Sequence, residues 1–194
     1  YGEAWLVHDV ENKQSVTAKI MHMDRMSERD KIYAGSETKC LAFCDHPCII
    51  RYFEDYEDKT QFILIMEYAD CGDLDRQIKA RVVDNMRYFE EYEVLFMILQ
   101  VALAVDHIHS KKMLHRDIKG ANILLTSTGL VKLGDFGFSH MYEDTVSGEV
   151  ASTFCGTPYY LAPEIWSSRR YCKKADVWAL GILFYELLAL KRPF

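Results

Sequence analysis

Apolar and polar positions alternate over short runs through the first third of the chain, then recur mostly at helical spacing. Residues 3–7 (Glu-Ala-Trp-Leu-Val) and 15–21 (Ser-Val-Thr-Ala-Lys-Ile-Met) read as two strands joined through the turn Glu11-Asn12-Lys13. Residues 26–43 predict a helix, with Ile32, Leu41 and Phe43 set among polar residues and no proline. Residues 49–56 and 61–68, rich in Ile, Tyr and Phe, predict a second hairpin about Glu57-Asp58-Lys59-Thr60. The polar turn Asp70-Cys71-Gly72-Asp73 closes this part of the pattern.

Beyond the turn, Val94, Ile98, Val101, Leu103, Val105 and Ile108 predict a buried amphipathic helix over 90–109. Short strands over 122–126 and 130–133, a long polar loop over 138–156 and a strongly apolar helix over 175–190 follow. No internal repeat or low-complexity tract appears. The pattern predicts two unlike lobes, 1–68 mainly strand and 69–194 mainly helix. A cleft between such lobes is where a ligand belongs.

Composition narrows the partners. The chain has 194 residues, 49% of them hydrophobic, and a net charge of −6, so a basic footprint for nucleic acid or anionic lipid is missing. The most apolar stretch, Val94 to Val105, reads as too short to span a bilayer and is interrupted by Gln100. Residues 1–20 lack the apolar segment of a secretory signal, which points to an intracellular, cytoplasmic protein with the nucleus left open. Of the cysteines Cys40, Cys44, Cys48, Cys71, Cys155 and Cys172, the first three recur every four residues. They read as a buried thiol face rather than a metal site, because there is no CxxC pair and His46 precedes a proline.

Three motifs occur in order: His115-Arg116-Asp117-Ile118-Lys119-Gly120-Ala121-Asn122, Asp135-Phe136-Gly137 and Ala162-Pro163-Glu164. Together they resemble the signature set of the protein kinases. The resemblance implies an α+β, two-lobed protein kinase fold with ATP and Mg²⁺ as its nucleotide and metal. It also implies protein acceptors carrying Ser or Thr. Asp117 would accept the acceptor hydroxyl's proton, and Lys119 would sit near the γ-phosphate. Asn122 and Asp135 would supply the hard oxygen ligands that suit Mg²⁺. Lys19, in Val16-Thr17-Ala18-Lys19, would contact the α and β phosphates, with Glu37 as its preferred partner and Glu28 as the rival.

The same resemblance gives the nucleotide a surround. Gly2 matches the last glycine of the phosphate-covering loop, and Ala4 and Thr17 fall at the adenine roof. The family usually has Val and Ala there, so one side chain shrinks and the other grows. Compensation and independent drift both explain this. Met66 would be the gatekeeper, Glu67 and Ala69 the adenine-binding backbone, Leu124 the adenine floor. Asp73 would reach the ribose, cap the next helix, or do both. Because only one glycine of the loop is present and the chain stops at Phe194, the resemblance implies a kinase domain truncated at both ends. Apolar surface is then expected between Ala179 and Leu190.

Lys119 and Gly156-Thr157-Pro158-Tyr159-Tyr160 favour the serine/threonine class, with Thr157 shaping the acceptor site. Lys132-Leu133-Gly134-Asp135 and Asp176-Val177-Trp178-Ala179-Leu180-Gly181 are similar to the NIMA-related (Nek) kinases. Arg116 implies a loop phosphate, at Thr153 or, second, Ser152. Leu41, Tyr52, Phe136 and His115 match the stack that links the lobes, anchored from below by Asp176. Two other classes stand beside this one: a pseudokinase scaffold, which Lys19, Asp117, Asn122 and Asp135 argue against, and a truncated module that only binds partners.

Overall fold

The fold is that of a computed structural model, which describes residues 2–142, 156–167 and 171–194. Strands β1 (Gly2–Asp9), β2 (Gln14–His22), β3 (Tyr52–Glu57) and β4 (Gln61–Glu67) form one antiparallel sheet in the order β1-β2-β4-β3. Both predicted hairpins are present. The second starts later than the apolar run suggested: Ile49 and Ile50 lie outside the sheet. Ile50 N–H donates to Leu133 O at 3.0 Å, and Leu133 N–H donates to Cys48 O at 2.8 Å. These bonds make an isolated parallel bridge between Ile49 and Leu133 of the second lobe rather than a place in the four-stranded sheet, and both isoleucines are fully buried there.

Helix α1 (Glu28–Ala42) crosses between β2 and β3. It starts where Ser27 and Asp30 form a capping box, Ser27 Oγ accepting from Asp30 N–H and Asp30 accepting from Ser27 N–H. Such a cap stabilises a helix by about 1 kcal/mol. Cys40, Cys44 and Cys48 all join the core. Cys44 Sγ donates to Cys40 O, and burial pushes its thiol up to about 12. These are inert structural thiols.

The second lobe holds α2 (Leu74–Val83), α3 (Glu91–Ser110), α4 (Pro163–Trp166) and α5 (Lys173–Ala189). Strands β6 (Ile123–Leu125) and β7 (Val131–Leu133) pair antiparallel, as do β5 (Met113–Leu114) and β8 (His140–Met141). The last strand lies inside the span expected to be one long loop; residues 143–155 of that loop are outside the described ones. At 20 residues, α3 has the span predicted for it over 90–109, longer than the Val94–Val105 stretch that was read as too short to cross a bilayer. On length and composition it could cross a membrane. Here Val94, Val101, Ala104, Val105 and Ile108 are buried in the core. Gln100, which interrupts the apolar run, is buried because it is used. Its Oε1 accepts from Val131 N–H at 3.0 Å and its Nε2 donates to Phe96 O at 3.3 Å.

The apolar helix α5 is less exposed than expected. Ala179, Ile182, Leu183 and Leu187 are buried, while Val177, Tyr185 and Leu188 face outward. Its first turn carries Asp176, with no exposed surface. That carboxylate accepts from His115 N–H (3.0 Å), Arg116 N–H (2.9 Å), Tyr171 O–H (3.1 Å) and His109 Nε2 (2.8 Å). Burial alone would push it up, but the His109 bond and the Arg116 amide hold it below its ordinary 3.8.

Asp176 therefore contributes stability above about pH 4, lost as pH falls through its depressed folded value. Asp176→Asn is expected to cost about 3–5 kcal/mol at neutral pH, read by urea denaturation, because one acceptor becomes a donor facing donors. The variant's stability should also fall less steeply with acid than that of the parent chain. Equal stabilities at pH 7 would contradict the anchoring role.

Candidate active site

Lys19 is reached through strand register. On β2 and its neighbours Ala4 stands opposite Lys19, and Thr17 stands opposite both Leu6 and Met66. Alternation puts Ala4, Thr17, Lys19 and Met66 on one face of the sheet. Gly2 opposes Met21, and a Cβ there would lie 3.0 Å from Met21 Cγ, so the strand pair leaves little room for a side chain. Lys19 Nζ donates to Glu37 at 2.6 and 2.9 Å and lies 3.5 Å from Asp135 Oδ1. Glu37 is thus the partner; the rival Glu28 sits at the helix start, paired with Lys31. Burial would pull the Lys19 ammonium down, but the Glu37 and Asp135 carboxylates outweigh it and hold it above its usual value. In turn, burial alone would raise Asp135, yet the Lys19 ammonium keeps its carboxyl low. Lys19 stays cationic and Asp135 anionic across the neutral range.

The hinge follows β4. Glu67 N–H donates to Arg51 O, and its carboxylate takes Lys132 Nζ at 2.7 Å, a lysine almost entirely buried. The side chain therefore points back toward β7 and leaves the hinge's interaction with any ligand to backbone groups. Ala69 follows, half-buried. Asp73 caps α2, accepting from Arg76 N–H at 2.9 Å, and it also bridges to Leu124 in β6. Cys71 is exposed, but desolvation and the Asp70 carboxylate both raise its thiol, which disfavours the reactive thiolate.

Asp117 is the most heavily bonded carboxylate of the cleft. Its Oδ1 accepts from Thr157 N–H (3.1 Å) and Thr157 O–H (2.9 Å). Its Oδ2 accepts from Lys119 Nζ (2.6 Å) and Asn122 Nδ2 (3.0 Å). Lys119 Nζ also donates to Thr157 Oγ1 at 2.9 Å. All four predicted catalytic residues meet in one network. Asn122 spends its amide N–H₂ on Asp117 O and Oδ2, which leaves its oxygen to face a ligand. An amide oxygen and a carboxylate such as that of Asp135 are hard donors, the type that suits Mg²⁺.

Beneath the network, His115 is fully buried, and burial lowers it, so its imidazole is neutral. Nε2 then donates to Gly134 O (3.1 Å), and Nδ1 faces the Asp117 amide (3.4 Å). The ring meets Phe136 edge-on at 5.0 Å, joining the two motifs. Arg116 Nε donates to Phe138 O at 2.6 Å. Thr153 and Ser152, expected as its phosphate-bearing partners, lie outside the described residues.

Several contributors escaped the sequence reading. Gly120 packs on α2, where a Cβ would meet Asp75 N at 3.1 Å. Lys132 fastens the hinge carboxylate, and Glu186 takes the hydroxyl of Tyr160. A buried ion pair between distant positions leaves no local signature; the only hint was a lysine inside an apolar strand.

The Lys19–Glu37 pair beside Asp135, and the Asp117 network on Lys119, Asn122 and Thr157, bring the sequence motifs together at one candidate site. The chain belongs to the protein kinase family, whose protein kinase domain matches residues 1–194. Within it, the chain is 64% identical over its whole length to "Putative serine/threonine-protein kinase A" of Trypanosoma brucei brucei, covering 45% of that protein. It is 40% identical to serine/threonine-protein kinase Nek1 and 39% identical to Nek3 of Mus musculus, again over the whole chain, covering 16% and 36% of them. The chain thus spans less than half the length of these relatives, and the resemblance to the NIMA-related kinases stands.

Gly156 tests the geometry. Its φ is +105°, and a Cβ there would fall 2.7 Å from Arg116 O. Gly156→Ala should cost about 1–3 kcal/mol of stability. Gly35→Ala, in α1 with nothing within 4 Å of the added Cβ, should instead stabilise by about 0.5–1 kcal/mol. Thermal denaturation of both variants checks the contrast, and equal shifts would contradict it.

Proposed function

We propose that the chain carries the catalytic centre of a serine/threonine protein kinase that moves the γ-phosphoryl group of Mg·ATP to protein hydroxyls. The observation that supports this best is the convergence of Lys119, Asn122 and Thr157 on Asp117, opposite the Lys19–Glu37 pair and Asp135. Lys19 would bind the α and β phosphates, Lys119 the γ-phosphate. Asn122 and Asp135 would hold Mg²⁺, which when bound supplies positive charge to the phosphate oxygens. Gly2, Ala4, Thr17, Met66 and Leu124 would enclose the nucleotide, with the backbone of Glu67 and Ala69 bonding adenine and Asp73 reaching the ribose.

In the reaction the acceptor oxygen forms a bond to the γ-phosphorus while the bond to the β–γ bridging oxygen breaks. ADP departs, and the hydroxyl proton passes to Asp117. The transition state is loose, so positioning and charge neutralisation carry most of the acceleration. Asp117 is held in one orientation by its donors, and Thr157 stands beside the place where an acceptor hydroxyl would lie. We further propose control by phosphorylation at Thr153, pairing with Arg116, and an intracellular, cytoplasmic setting.

Asp117→Asn is expected to lower kcat by about 10²–10⁴-fold while nucleotide binding persists. Phosphosite mapping by mass spectrometry with Mg·ATP and a generic acceptor protein reads it. Phosphate on Ser and Thr that vanishes in the variant supports the reading. Full transfer by the variant would refute the base assignment, and no transfer by the parent protein would favour a binding module. Thr153→Ala should reduce turnover markedly; unchanged turnover would remove the loop phosphate from the account. Thr17→Ala should weaken ATP binding if Thr17 fills the space Ala4 leaves. Several-fold tighter binding would end the compensation idea.

A further inference from the structure

The acceptor side of the site hangs on a turn, and that turn is held from a distance. Thr157, which bonds both Asp117 and Lys119, leads directly into the 3-10 turn Pro158–Tyr160. Within it Tyr160 N–H donates to Thr157 O at 2.9 Å, so the two ends of the turn move together. Tyr160 is buried and its hydroxyl bonds the Glu186 carboxylate, near the C-terminal end of α5. Burial first, and then that carboxylate, push the phenol well above its usual value, so it remains a donor.

Glu186 is buried as well, and a buried carboxylate held by one phenol is short of partners. The second partner is Arg192. Its Nε donates to Glu186 Oε1 at 3.3 Å, and its guanidinium covers the Tyr159 ring at 4.4 Å. Arg192 reaches back because α5 ends in a sharp reversal. Leu190 adopts a left-handed conformation, φ 52° and ψ 23°, with its N–H on Glu186 O. A branched side chain rarely occupies that region, and here Leu190 is itself buried, so packing enforces the reversal. The strained turn delivers one cation onto one buried anion.

We propose that Arg192 is a positioning residue for phosphoryl transfer. Docked on Glu186, it fixes Tyr160 and the Thr157–Tyr160 turn, and so seats Thr157 on Asp117 and Lys119. The assignment of the transfer role rests on the function proposed above; the mechanical part does not. A surface pair would do little, because exposed ion pairs are weak. This pair ends on a carboxylate with almost no exposed surface, so removing the cation leaves an undercompensated charge inside the fold.

The test reads the turn and the chemistry separately. Amide hydrogen exchange over residues 156–161 is compared in the parent protein, Arg192→Ala and Arg192→Lys, with kcat, acceptor KM and nucleotide binding measured alongside. In Arg192→Ala the turn should exchange about tenfold faster, and kcat should fall by a similar factor, with nucleotide binding unchanged. Arg192→Lys should recover most of both, since it returns a cation to Glu186. Adding Arg192→Ala to Thr157→Ala should cost no further kcat, because the effect runs through Thr157. Unchanged exchange over 156–161 in Arg192→Ala overturns the proposal, as does acceleration spread evenly over the whole chain, or an equal kcat loss in the Thr157→Ala background. Exchange needs no turnover, so a parent protein that transfers no phosphate would sink the proposed function while the exchange result still decides the clamp.

Discussion

The catalytic loop is held in place by a carboxylate that never meets water. Asp176 receives the amides of His115 and Arg116, and those two bonds fix the backbone immediately before Asp117. A buried charge is tolerable only with a full set of donors, and Asp176 has four. That requirement makes the anchor selective. Moving residues 115–116 away would strip two of those donors, so α5 holds the backbone that leads into Asp117. His115 carries the constraint onward through Gly134 O and the Phe136 ring, which brings Asp135 under Lys19.

Charge is then divided across the cleft. On the sheet side, Lys19 binds Glu37 tightly and Asp135 at longer range. On the helical side, Lys119 binds Asp117 and Thr157. Each cation is paired before any ligand arrives, which keeps its side chain from collapsing and leaves it oriented. Preorganisation of this kind reduces the reorganisation needed when negative charge enters the site. The Glu67–Lys132 pair does a related job at the hinge, tying the end of β4 to the strand that leads into Asp135.

Much of this was legible in the sequence, and the parts that were not share a cause. The strands, α1, α3 and α5 followed from period and turn residues, because local pattern encodes local structure. Lys119 and Asn122 were legible because they share one motif with Asp117, and Thr157, 40 residues away, because it stands in a motif of its own, Gly156-Thr157-Pro158-Tyr159-Tyr160. Ile49 and Ile50 were misassigned since an apolar run looks the same whether it pairs in a sheet or packs across a lobe boundary. The span of α3 was legible too, but the role of its buried Gln100 was not, because that side chain is satisfied by backbone far along the chain. Lys132 with Glu67, and Tyr160 with Glu186, are pairings that only the fold brings together.

Backbone strain marks the same places. Arg116 and Asp135 have positive φ, 68° and 54°, although neither is glycine, and Gly156 lies at +105°. Each non-glycine residue in that region costs about 1–2 kcal/mol, so the conformations must be enforced. Arg116 is enforced by Asp176 on its amide and by its own bond to Phe138 O. Asp135 lies between the Gly134 carbonyl held by His115 and the Lys19 ammonium. Gly156 needs no enforcement, only the absence of a side chain against Arg116 O. Arg116 precedes Asp117, Asp135 faces Lys19 and Gly156 precedes Thr157, so each of these reversals stands beside a member of the candidate site. The strain and the buried anchor are therefore one arrangement: Asp176 holds the loop in a shape that the isolated chain would not adopt.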